Sequence, residues 1–321
     1  MKIISKSFAA LVLTLSSTWC LAQTYPNKPI RLLVGFTAGG AADTSARALS
    51  RKMGEAMRTT FVVENRSGAG GNIAAEIVSN AAPDGYTLFW GSIGPLTVSP
   101  ALGMKLPYDV FKDFSPVGLA VTFCNILAAR SGVKADSLAD IIALAKAKPG
   151  HINYASQGQG STGHLAGELL RTMTGVDIVQ VRYKGGSELI TALLGGEVEL
   201  AFISVTTLKG TGAGRLKPFA VTCGKRDPGA PNVPTFAEAG VPGYDASFWY
   251  GPVAPARTPP ALIERLNQEL RAALADRATA QSLEAQGLIA APSSPQEFSK
   301  IILRDYEKWK RTLGTQAAVT K

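Results

Sequence analysis

Two glycine-bearing turns carry the residue types best suited to binding an anion. The first turn, residues 37–40, contains Gly39 and Gly40, and the second turn, residues 156–162, reads Ser-Gln-Gly-Gln-Gly-Ser-Thr. Glycine lets a ligand approach the main chain, and a helix that follows such a turn leaves its first N–H groups unpaired at the positive end of its dipole. We therefore predict that both turns close on one small carboxylate, although a tight turn without a ligand is the alternative for each one alone.

Polar residues at the ends of other predicted strands would complete the pocket. Lys184 could pair with a carboxylate or face solvent, and Tyr183 could donate a hydrogen bond or pack in the core. Asp43 could cap the first helix or face a ligand amine or water. Ser204 offers a neutral hydroxyl, which would not favour a cationic ligand group, and Ser92 ends the third strand. The complete candidate set is Phe36, Thr37, Ala38, Gly39, Gly40, Asp43, Ser92, Ser156, Gly160, Ser161, Thr162, His164, Tyr183, Lys184 and Ser204.

The sequence is poorly supplied for catalysis, cofactor binding or metal binding. His151 and His164 are the only histidines, and neither has a second ligand at metal-binding spacing. Ser161 lies one position out of register for the nucleophile motif of serine hydrolases. Neither residues 35–40 nor residues 68–71 match the dinucleotide pattern, and residues 68–72 are expected to serve helix–strand packing and to support the ligand-binding residues from behind. His164 is expected at a helix start, where its ring either makes local hydrogen bonds or lines the cleft. Because these motifs are missing, we predict that the protein is not an enzyme and binds no cofactor, and an exported hydrolase or isomerase is the alternative.

The elements that must position these turns follow an α/β pattern. Short apolar strands alternate with helical periodicity, and in such folds ligands bind at the carboxyl ends of strands, where both turns lie. Residues 95–116 are predicted to hold little regular structure, and residues 228–242 and 249–252 are predicted to be turn-rich. Strands are predicted at residues 30–36, 61–64, 86–90, 117–129, 152–155, 178–183, 198–204 and 218–222, and helices at residues 44–57, 73–81, 138–146, 164–173, 188–194, 260–274 and 295–313.

Chain length and the two later cysteines suggest two lobes. A chain of 321 residues exceeds the size at which one core usually keeps growing. We predict a first lobe from residues 23–123 and 224–321 and a second lobe from residues 124–223, so that the chain crosses twice. Cys124 and Cys223 flank the second lobe, where two buried free thiols are expected and a single disulfide is the alternative.

The first residues predict export. Lys2 and Lys6 precede a short apolar run, and Ala22 suits the last position before cleavage, so residues 1–22 are predicted to be a signal peptide removed before Gln23. Soluble export is preferred to a lipid anchor at Cys20. The net charge of +9 is a mild bias toward anionic ligands, and without basic clusters interleaved with aromatics it does not indicate nucleic acid.

Nearly the whole mature chain resembles the Bug family, the periplasmic receptors of tripartite tricarboxylate transporters. The resemblance rests on Tyr-Pro-Asn-Lys-Pro-Ile at residues 25–30, the Gly-Gly-x-x-Asp turn at 39–43, Glu-Asn-Arg-x-Gly-Ala-Gly-Gly-Asn at 64–72, Pro-Asp-Gly-Tyr-Thr-Leu at 83–88, Leu-Pro-Tyr-Asp at 106–109, Lys-Asp-Phe at 112–114, Asn-Tyr-Ala-Ser at 153–156, His-Leu-Ala-Gly-Glu at 164–168, Tyr-Lys-Gly at 183–185 and Val-Pro-Thr at 233–235. So many matches in the same order make the resemblance highly specific.

The resemblance implies a two-lobe periplasmic-binding fold of type II, a Venus flytrap with a mixed, mostly parallel sheet in each lobe. It implies a monomer that binds amino acids, di- or tricarboxylates or aromatic acids through both turns, and that docks transiently on membrane transporter subunits. A receptor that reports to a sensor kinase is the alternative. Two departures bear on the ligand: Arg182 stands where relatives usually have proline, and Ser204 begins a segment where relatives usually have an acidic or amide residue. The second departure weakens the case for an amino acid.

Overall fold

The computed structural model describes residues 25–183, 186–211 and 214–317, with the backbone alone at residues 187 and 314–317. The predicted leader, its cleavage site before Gln23 and the candidate ligand residue Lys184 lie outside the described residues. No helix in the described ranges combines the length and the apolar character needed to cross a bilayer.

The described residues form two β-sheets. The first sheet contains β1 Ile30–Val34, β2 Phe61–Asn65, β3 Thr87–Ser92, β4 Phe114–Pro116, β5 Val121–Phe123, β11 Phe248–Pro255 and β12 Ile289–Ala290. The second contains β6 Asn125–Arg130, β7 Ile152–Ser156, β8 Ile178–Arg182, β9 Leu200–Ser204 and β10 Leu216–Val221. The first sheet has the order β12-β5-β11-β3-β1-β2, with β4 beside β11, and the second has the order β10-β6-β9-β7-β8.

Both sheets are mixed, as predicted from the resemblance. Parallel pairs join β1 to β2 and β3, and β7 to β8 and β9. The other ladders, including all four made by β11 and β12, are antiparallel. The expectation of mostly parallel sheets is therefore wrong: β11 runs against its neighbours in the first sheet, and β6 runs against both of its neighbours in the second, where the ladders divide evenly between the two kinds.

Helices pack against the sheets. They are α1 Ala41–Met57, α2 Asn72–Ser79, α3 Ser99–Ala101, α4 Val110–Asp113, α5 Leu138–Ala147, α6 Thr162–Thr174, α7 Gly186–Gly195, α8 Val205–Gly210, α9 Pro260–Ala275, α10 Arg277–Glu284 and α11 Pro295–Ala317. Most predicted helices are present with ends shifted by a few residues, and α8 and α10 are additional. A 3₁₀ turn Ala69–Gly71 and a π-helical turn Gly94–Val98 are also present.

Helix α1 shows how the periodic apolar residues build the core. Ala46, Leu49 and Met53 recur at helical spacing and are no more than 5% exposed, so this face packs on the first sheet and on α9. Burying each large apolar side chain contributes about 1.5–3 kcal/mol, and Leu49→Ala would cost about 2–5 kcal/mol. The helix ends at Arg58, whose left-handed backbone (φ 52°) directs its N–H to the carbonyls of Gly54 and Glu55.

Strand β11 shows that the prediction of a turn at residues 249–252 is wrong. All eight of its residues are buried, and it lies between β3 on one side and β4 and β5 on the other. Pro252 cannot donate to a ladder, yet its carbonyl accepts the N–H of Val117 at 3.0 Å. Burial on both faces outweighs the two missing N–H groups of Pro252 and Pro255.

The predicted irregular stretch at residues 95–116 contains more structure than expected. The π-helical turn, α3, α4 and β4 all lie within or beside it. Asp109 caps α4 by accepting the N–H of Phe111 at 3.0 Å, and the buried hydroxyl of Thr97 donates to the carbonyl of Ile93. Side-chain to backbone hydrogen bonds therefore replace a regular apolar period here, and the period was the signal that the prediction used.

The chain passes from the first sheet to the second at Cys124. Residues 117–129, predicted as one strand, are divided into β5 and β6, which belong to different sheets. Cys124 is bonded to Cys223, just beyond the end of β10, with an S–S distance of 1.99 Å, so the expectation of free thiols is wrong. Thr222 and Asn125 exchange hydrogen bonds of 2.8 and 2.9 Å beside the disulfide, which brings the two cysteines together.

The segment that leads from β10 to β11 packs on the second sheet. Phe236 stacks on Phe202 of β9 and on Tyr244, whose hydroxyl donates to the carbonyl of Ala166 at 2.8 Å. The first sheet resumes only at Phe248. The predicted limits of the two lobes stay a prediction, and this packing favours a return to the first lobe nearer to residue 247 than to residue 224.

Candidate ligand-binding site

Asp43 sets the conformation of the first turn. Residues 37–40 are exposed, whereas Asp43 is 3% exposed. Gly40 is the N-cap of α1 and makes no side-chain cap, so Asp43 stands at the third helical position. Its carboxylate accepts the N–H of Gly39 at 2.9 Å, and Gly39 has a φ of 83°, which favours glycine. The structure supports a turn-ordering role for Asp43, one of the two roles considered from the sequence.

The carboxylate of Asp43 also joins a charged network. Arg47 lies 2.9 Å from it, and the amide of Asn65 donates to it at 2.9 Å and to the carbonyl of Phe36 at 3.0 Å. Burial opposes ionisation of Asp43, but the hydrogen bonds from Arg47, Gly39 and Asn65 outweigh burial and lower its pKa. Asp43 is therefore ionised at neutral pH and holds both ends of the first turn.

The second turn is held by neutral groups. The hydroxyl of Ser156, a fully buried residue, accepts the N–H of Gly158 at 3.2 Å and the amide of Gln180 at 2.6 Å. Ser161 caps α6: its hydroxyl donates to the carbonyl of Gly158 at 2.7 Å and accepts the N–H of His164 at 3.4 Å. Both serines therefore shape the turn through their side chains.

His164 supports the same turn from below. Its Nδ1 accepts the N–H of Gly160 at 3.2 Å, which assigns the ring proton to Nε2. Burial lowers the pKa of His164, Glu168 opposes this effect, and Arg182 and Arg171 lower the pKa further. The imidazole is therefore neutral at neutral pH, as its role as an acceptor requires. Local satisfaction at a helix start was one of the two expectations for this residue.

Each turn leads into a helix whose first N–H groups have no partner within the helix. The first intrahelical bond of α1 runs from Thr44 to Gly40 at 2.9 Å, and that of α6 runs from Leu165 to Ser161 at 3.0 Å. The N–H groups of residues 41–43 and 162–163 precede these bonds. With the helix dipoles, they form two positively polarised ends suited to carboxylate oxygens.

The second turn lies close to the turns that follow β2 and β3 of the first sheet. A Cβ built on Gly70 would lie 3.1 Å from the carbonyl oxygen of Gln159. A Cβ built on Gly94 would lie 3.0 Å from the carbonyl oxygen of Gly160 and 3.2 Å from that of Gly70. At these distances a side chain at position 70 or 94 would fit only if the neighbouring carbonyl oxygens moved. Glycines 70 and 94 therefore let the two halves of the molecule approach each other.

The first turn joins this contact through Gly71. A Cβ built on Gly71 would lie 3.8 Å from the ring of Phe36, and one built on Gly35 would lie only 2.6 Å from the Cα of Gly71. The sequence predicted helix–strand packing for residues 68–72, with support of the ligand-binding residues from behind, and it did not identify Gly94. Three positive-φ glycines at positions 68, 70 and 71 were the available signal, because a turn this rich in glycine permits a second chain to come close.

Two further candidates lie at the end of a strand and at the start of a helix. Ser92 is 3% exposed, and its hydroxyl has no hydrogen-bond partner among the described residues. Such an orphaned polar atom at a strand end is suited to a ligand or to a bound water. The hydroxyl of Thr162 accepts the amide of Asn125 at 3.0 Å, which connects the start of α6 to the crossing between the sheets.

The remaining candidates are engaged elsewhere. Ser204 caps the short helix α8, accepting the N–H of Thr207 at 3.1 Å and sharing hydrogen bonds of 2.8 Å with two threonine hydroxyls. Tyr183 packs against the apolar cluster of the second sheet, and its pKa is raised by burial and by Glu197. Ligand contact by Ser204 and Tyr183 stays a prediction, and the main-chain N–H of Tyr183 donates to the carbonyl of Ser156 at 2.9 Å. Lys184 lies outside the described residues.

The second turn lies against Gly70 and Gly94, in the turns that follow β2 and β3, and Gly71 lies against Gly35, just before the first turn. Ligand contacts by the individual candidates stay a prediction. No group of three or more histidine, cysteine, aspartate or glutamate side chains suited to a metal ion occurs among the described residues. The arrangement can bind an anion through main-chain donors.

Comparisons with known proteins agree with this geometry. The family model described as tripartite tricarboxylate transporter family receptor matches residues 45–317. Protein BugT of Bordetella pertussis is 35% identical over 290 residues, which cover 90% of this chain and 89% of that protein. Rpa4515 of R. palustris, solved with adipate, superposes with a TM-score of 0.84 at 35% identity, covering 92% of this chain and 98% of that one. MatC of Rhodopseudomonas palustris, solved with bound malate, gives 0.83 at 29% identity, covering 90% of this chain and all (100%) of that one.

Proposed function

The chain belongs to the tripartite tricarboxylate transporter receptor family, and from this premise we propose that it captures a small carboxylate between its two sheets for delivery to a membrane transporter. Proteins of this family are periplasmic solute-binding receptors and not enzymes. The proposal extends this role to a particular site, formed by the first and second turns, and to a particular class of ligand.

The convergence of the turns is the observation that carries the proposal. The second turn lies too close to Gly70 and Gly94, in the turns that follow β2 and β3, for a methyl group to be added there without movement, and Gly71 lies against Gly35, just before the first turn. We infer that the N–H groups that begin α1 and α6 face one gap from opposite sides. A ligand that bridges them would satisfy donors from both halves at once, which is how a ligand stabilises a closed form.

A dicarboxylate fits this arrangement better than an amino acid. Two helix starts offer two separate sets of main-chain donors, one for each carboxylate. The hydroxyl cluster around Ser204 contains no carboxylate that could meet an ammonium group, and Arg182 is exposed close enough to His164 to affect its pKa. The solved relatives carry adipate and malate, both dicarboxylates.

The cellular setting follows from the family. We propose that residues 1–22 are removed before Gln23, that residues 23–123 together with the end of the chain form one lobe and residues from 124 to beyond 223 the other, and that the mature chain acts as a monomer. Docking on membrane subunits is transient, because the receptor must release its ligand and return.

Isothermal titration calorimetry of the mature protein tests the ligand class. We expect adipate, malate or another dicarboxylate to bind with a micromolar dissociation constant, which corresponds to about −8 kcal/mol. The corresponding diamides are the matched controls, because they keep the shape and remove the charge, and we expect no measurable heat from them. Ligand recovered after long incubation should be chemically unchanged.

Two results would contradict the proposal. Absence of binding by every mono-, di- and tricarboxylate tested would remove the ligand class. Equal binding of a diamide and its dicarboxylate would show that the helix starts do not recognise negative charge.

A further inference from the structure

A groove lies on the outside of the first sheet, away from the meeting point of the turns. Its volume is about 610 Å³, and it runs between helix α1 and strand β2. The residues that line it are Arg47, Ser50, Arg51, Gly54, Glu55, Arg58, Thr59, Thr60, Phe61 and Val63. The ligand-binding turns do not contribute to this lining, so the groove is separate from the proposed ligand-binding site.

Strand β2 gives the groove an open edge. It ends the order of the first sheet and is paired only with β1 within the described residues. The N–H of Ile30 donates to the carbonyl of Thr60, and the N–H of Arg66 donates to the carbonyl of Val34, so even-numbered residues of β2 face β1. In a parallel ladder the alternate residues point away, and these include Phe61 and Val63, which line the groove. Their main-chain donors and acceptors are therefore available to another strand.

Positive charge surrounds this edge. Arg51 and Arg58 are exposed and have no ion pair in the described ranges, and Arg47 is exposed although it pairs with Asp43. Glu55 is the only acidic side chain in the lining. An occupant with negative charge would therefore be favoured over a neutral or basic one.

The groove is also connected to the ligand-binding turn. Arg47 lines the groove and contacts Asp43, which in turn accepts the N–H of Gly39. An acidic group that binds in the groove would compete with Asp43 for Arg47. A partner docked here could thus sense or alter the first turn.

We propose that the groove docks an extended acidic segment of the membrane partner, which adds a strand to the open edge of β2 and places its carboxylates on Arg51 and Arg58. Strand addition supplies main-chain hydrogen bonds, and the arginines select the charge. This docking role rests on the proposed receptor function, because only a receptor must meet a membrane subunit to deliver its ligand.

Fluorescence anisotropy with short labelled peptides tests the docking site on the mature protein. The probe is a capped peptide of alternating valine and aspartate, with two controls: the same peptide with lysine for aspartate, and the acidic peptide N-methylated at every residue. We expect saturable binding of the acidic peptide with a low-millimolar dissociation constant or tighter. The other two peptides should bind at least tenfold more weakly, because the lysine peptide carries positive instead of negative charge and the N-methylated peptide lacks main-chain donors.

The double variant Arg51→Glu with Arg58→Glu should weaken the acidic peptide at least tenfold. Its matched control is Lys146→Glu with Lys148→Glu, which makes the same change in charge on the exposed end of α5 and should leave binding within twofold. Thermal unfolding of both variants checks that they fold.

Calorimetry with a carboxylate on the same preparations separates this proposal from the receptor function. Retained carboxylate binding without binding of the acidic peptide would overturn the docking site alone. Equal binding of the N-methylated peptide, or of the acidic peptide to both double variants, would reduce the interaction to general electrostatic attraction and overturn strand addition. Absence of carboxylate binding by the wild-type protein would overturn the receptor function itself.

Discussion

The two ligand-binding turns use the same main-chain device with different support. The first turn is exposed, and ionised Asp43 holds it together with Arg47 and Asn65. The second turn is partly buried through Ser156 and Ser161, and neutral serine hydroxyls and the imidazole of His164 hold it. A charged network responds to acid and salt, whereas neutral hydrogen bonds in a buried place depend mainly on geometry. The two halves of one site should therefore fail under different conditions.

Removing the disulfide should have the largest effect on stability and should affect both turns. Cys124 and Cys223 are 99 residues apart in the chain, and losing a bridge across such a loop costs about 2–5 kcal/mol. We expect the double variant Cys124→Ser with Cys223→Ser to lose this amount in chemical denaturation. Equal stability of the variant and the wild type would show that the crossing is held by its hydrogen bonds alone.

Asp43→Ala should disturb the first turn alone. The change removes the carboxylate that accepts the N–H of Gly39 and pairs with Arg47. Because the Asp43 side chain is only 4% exposed, we expect the unfolding free energy to fall by about 2–3 kcal/mol. Carboxylate affinity should fall at least tenfold by calorimetry. Asp140→Ala is the matched control, since Asp140 is also third in its helix but exposed and remote, and it should leave the affinity unchanged.

The lowered pKa of Asp43 also fixes the sign of the acid response. A carboxyl group whose pKa is lowered by folding stabilises the native state above its unfolded pKa of about 3.9 and loses that contribution as the pH falls through the native value. The wild type should therefore lose its advantage over Asp43→Ala below about pH 4. A stability difference that is unchanged in acid would contradict the role of the ionised form.

Gly94→Ala should separate closure from stability. The added methyl would meet the carbonyl oxygens of Gly160 and Gly70 at 3.0 and 3.2 Å, so the two halves cannot approach fully. We expect carboxylate affinity to fall about tenfold, or about 1.4 kcal/mol, with little change in Tm. Gly195→Ala meets nothing within 4 Å and serves as the control. Unchanged affinity in Gly94→Ala would mean that ligand binding does not require this approach.

His164→Gln should have the smallest effect, seen in the pH profile of binding. The pKa of His164 is lowered in the folded protein, so its neutral form, which accepts the N–H of Gly160, is stabilised above the unfolded pKa of about 6.5. That contribution is lost as the pH falls below this value through the lowered pKa. We expect wild-type affinity to decline over this range and that of His164→Gln to change less. Parallel profiles would remove His164 from the support of the second turn.

Local chemistry explains why the sequence located both turns and most helices. Glycine turns before amphipathic helices depend on neighbouring residues, and α1 and α6 begin within three residues of their predicted starts. Strand β11 was missed because its two prolines and Gly251 resemble a turn, and only burial between β3, β4 and β5 makes them a strand. Sheet neighbours that are distant in sequence leave no local signal.

The facing residues of the site were missed for the same reason. Gly94 and Gly70 matter because of Gly160 and Gln159, which lie more than sixty positions away in the chain. Ser204 and Tyr183 were selected because they end strands, but side-chain direction and helix capping decide what they contact. Strand ends predict the edge of the sheet where a ligand binds, and tertiary packing decides which of its residues are available.

The bond between Cys124 and Cys223 closes everything between them into a covalent ring. The chain enters this ring at Cys124, where it leaves the first sheet, and leaves the ring at Cys223, and the disulfide fixes these two points beside each other. A protease that cut the chain once between Cys124 and Cys223 would open the ring without releasing a fragment, because the disulfide would still join the two pieces. For a protein that works outside the cytoplasm, a single cut within the ring would then leave the two pieces of the chain covalently joined.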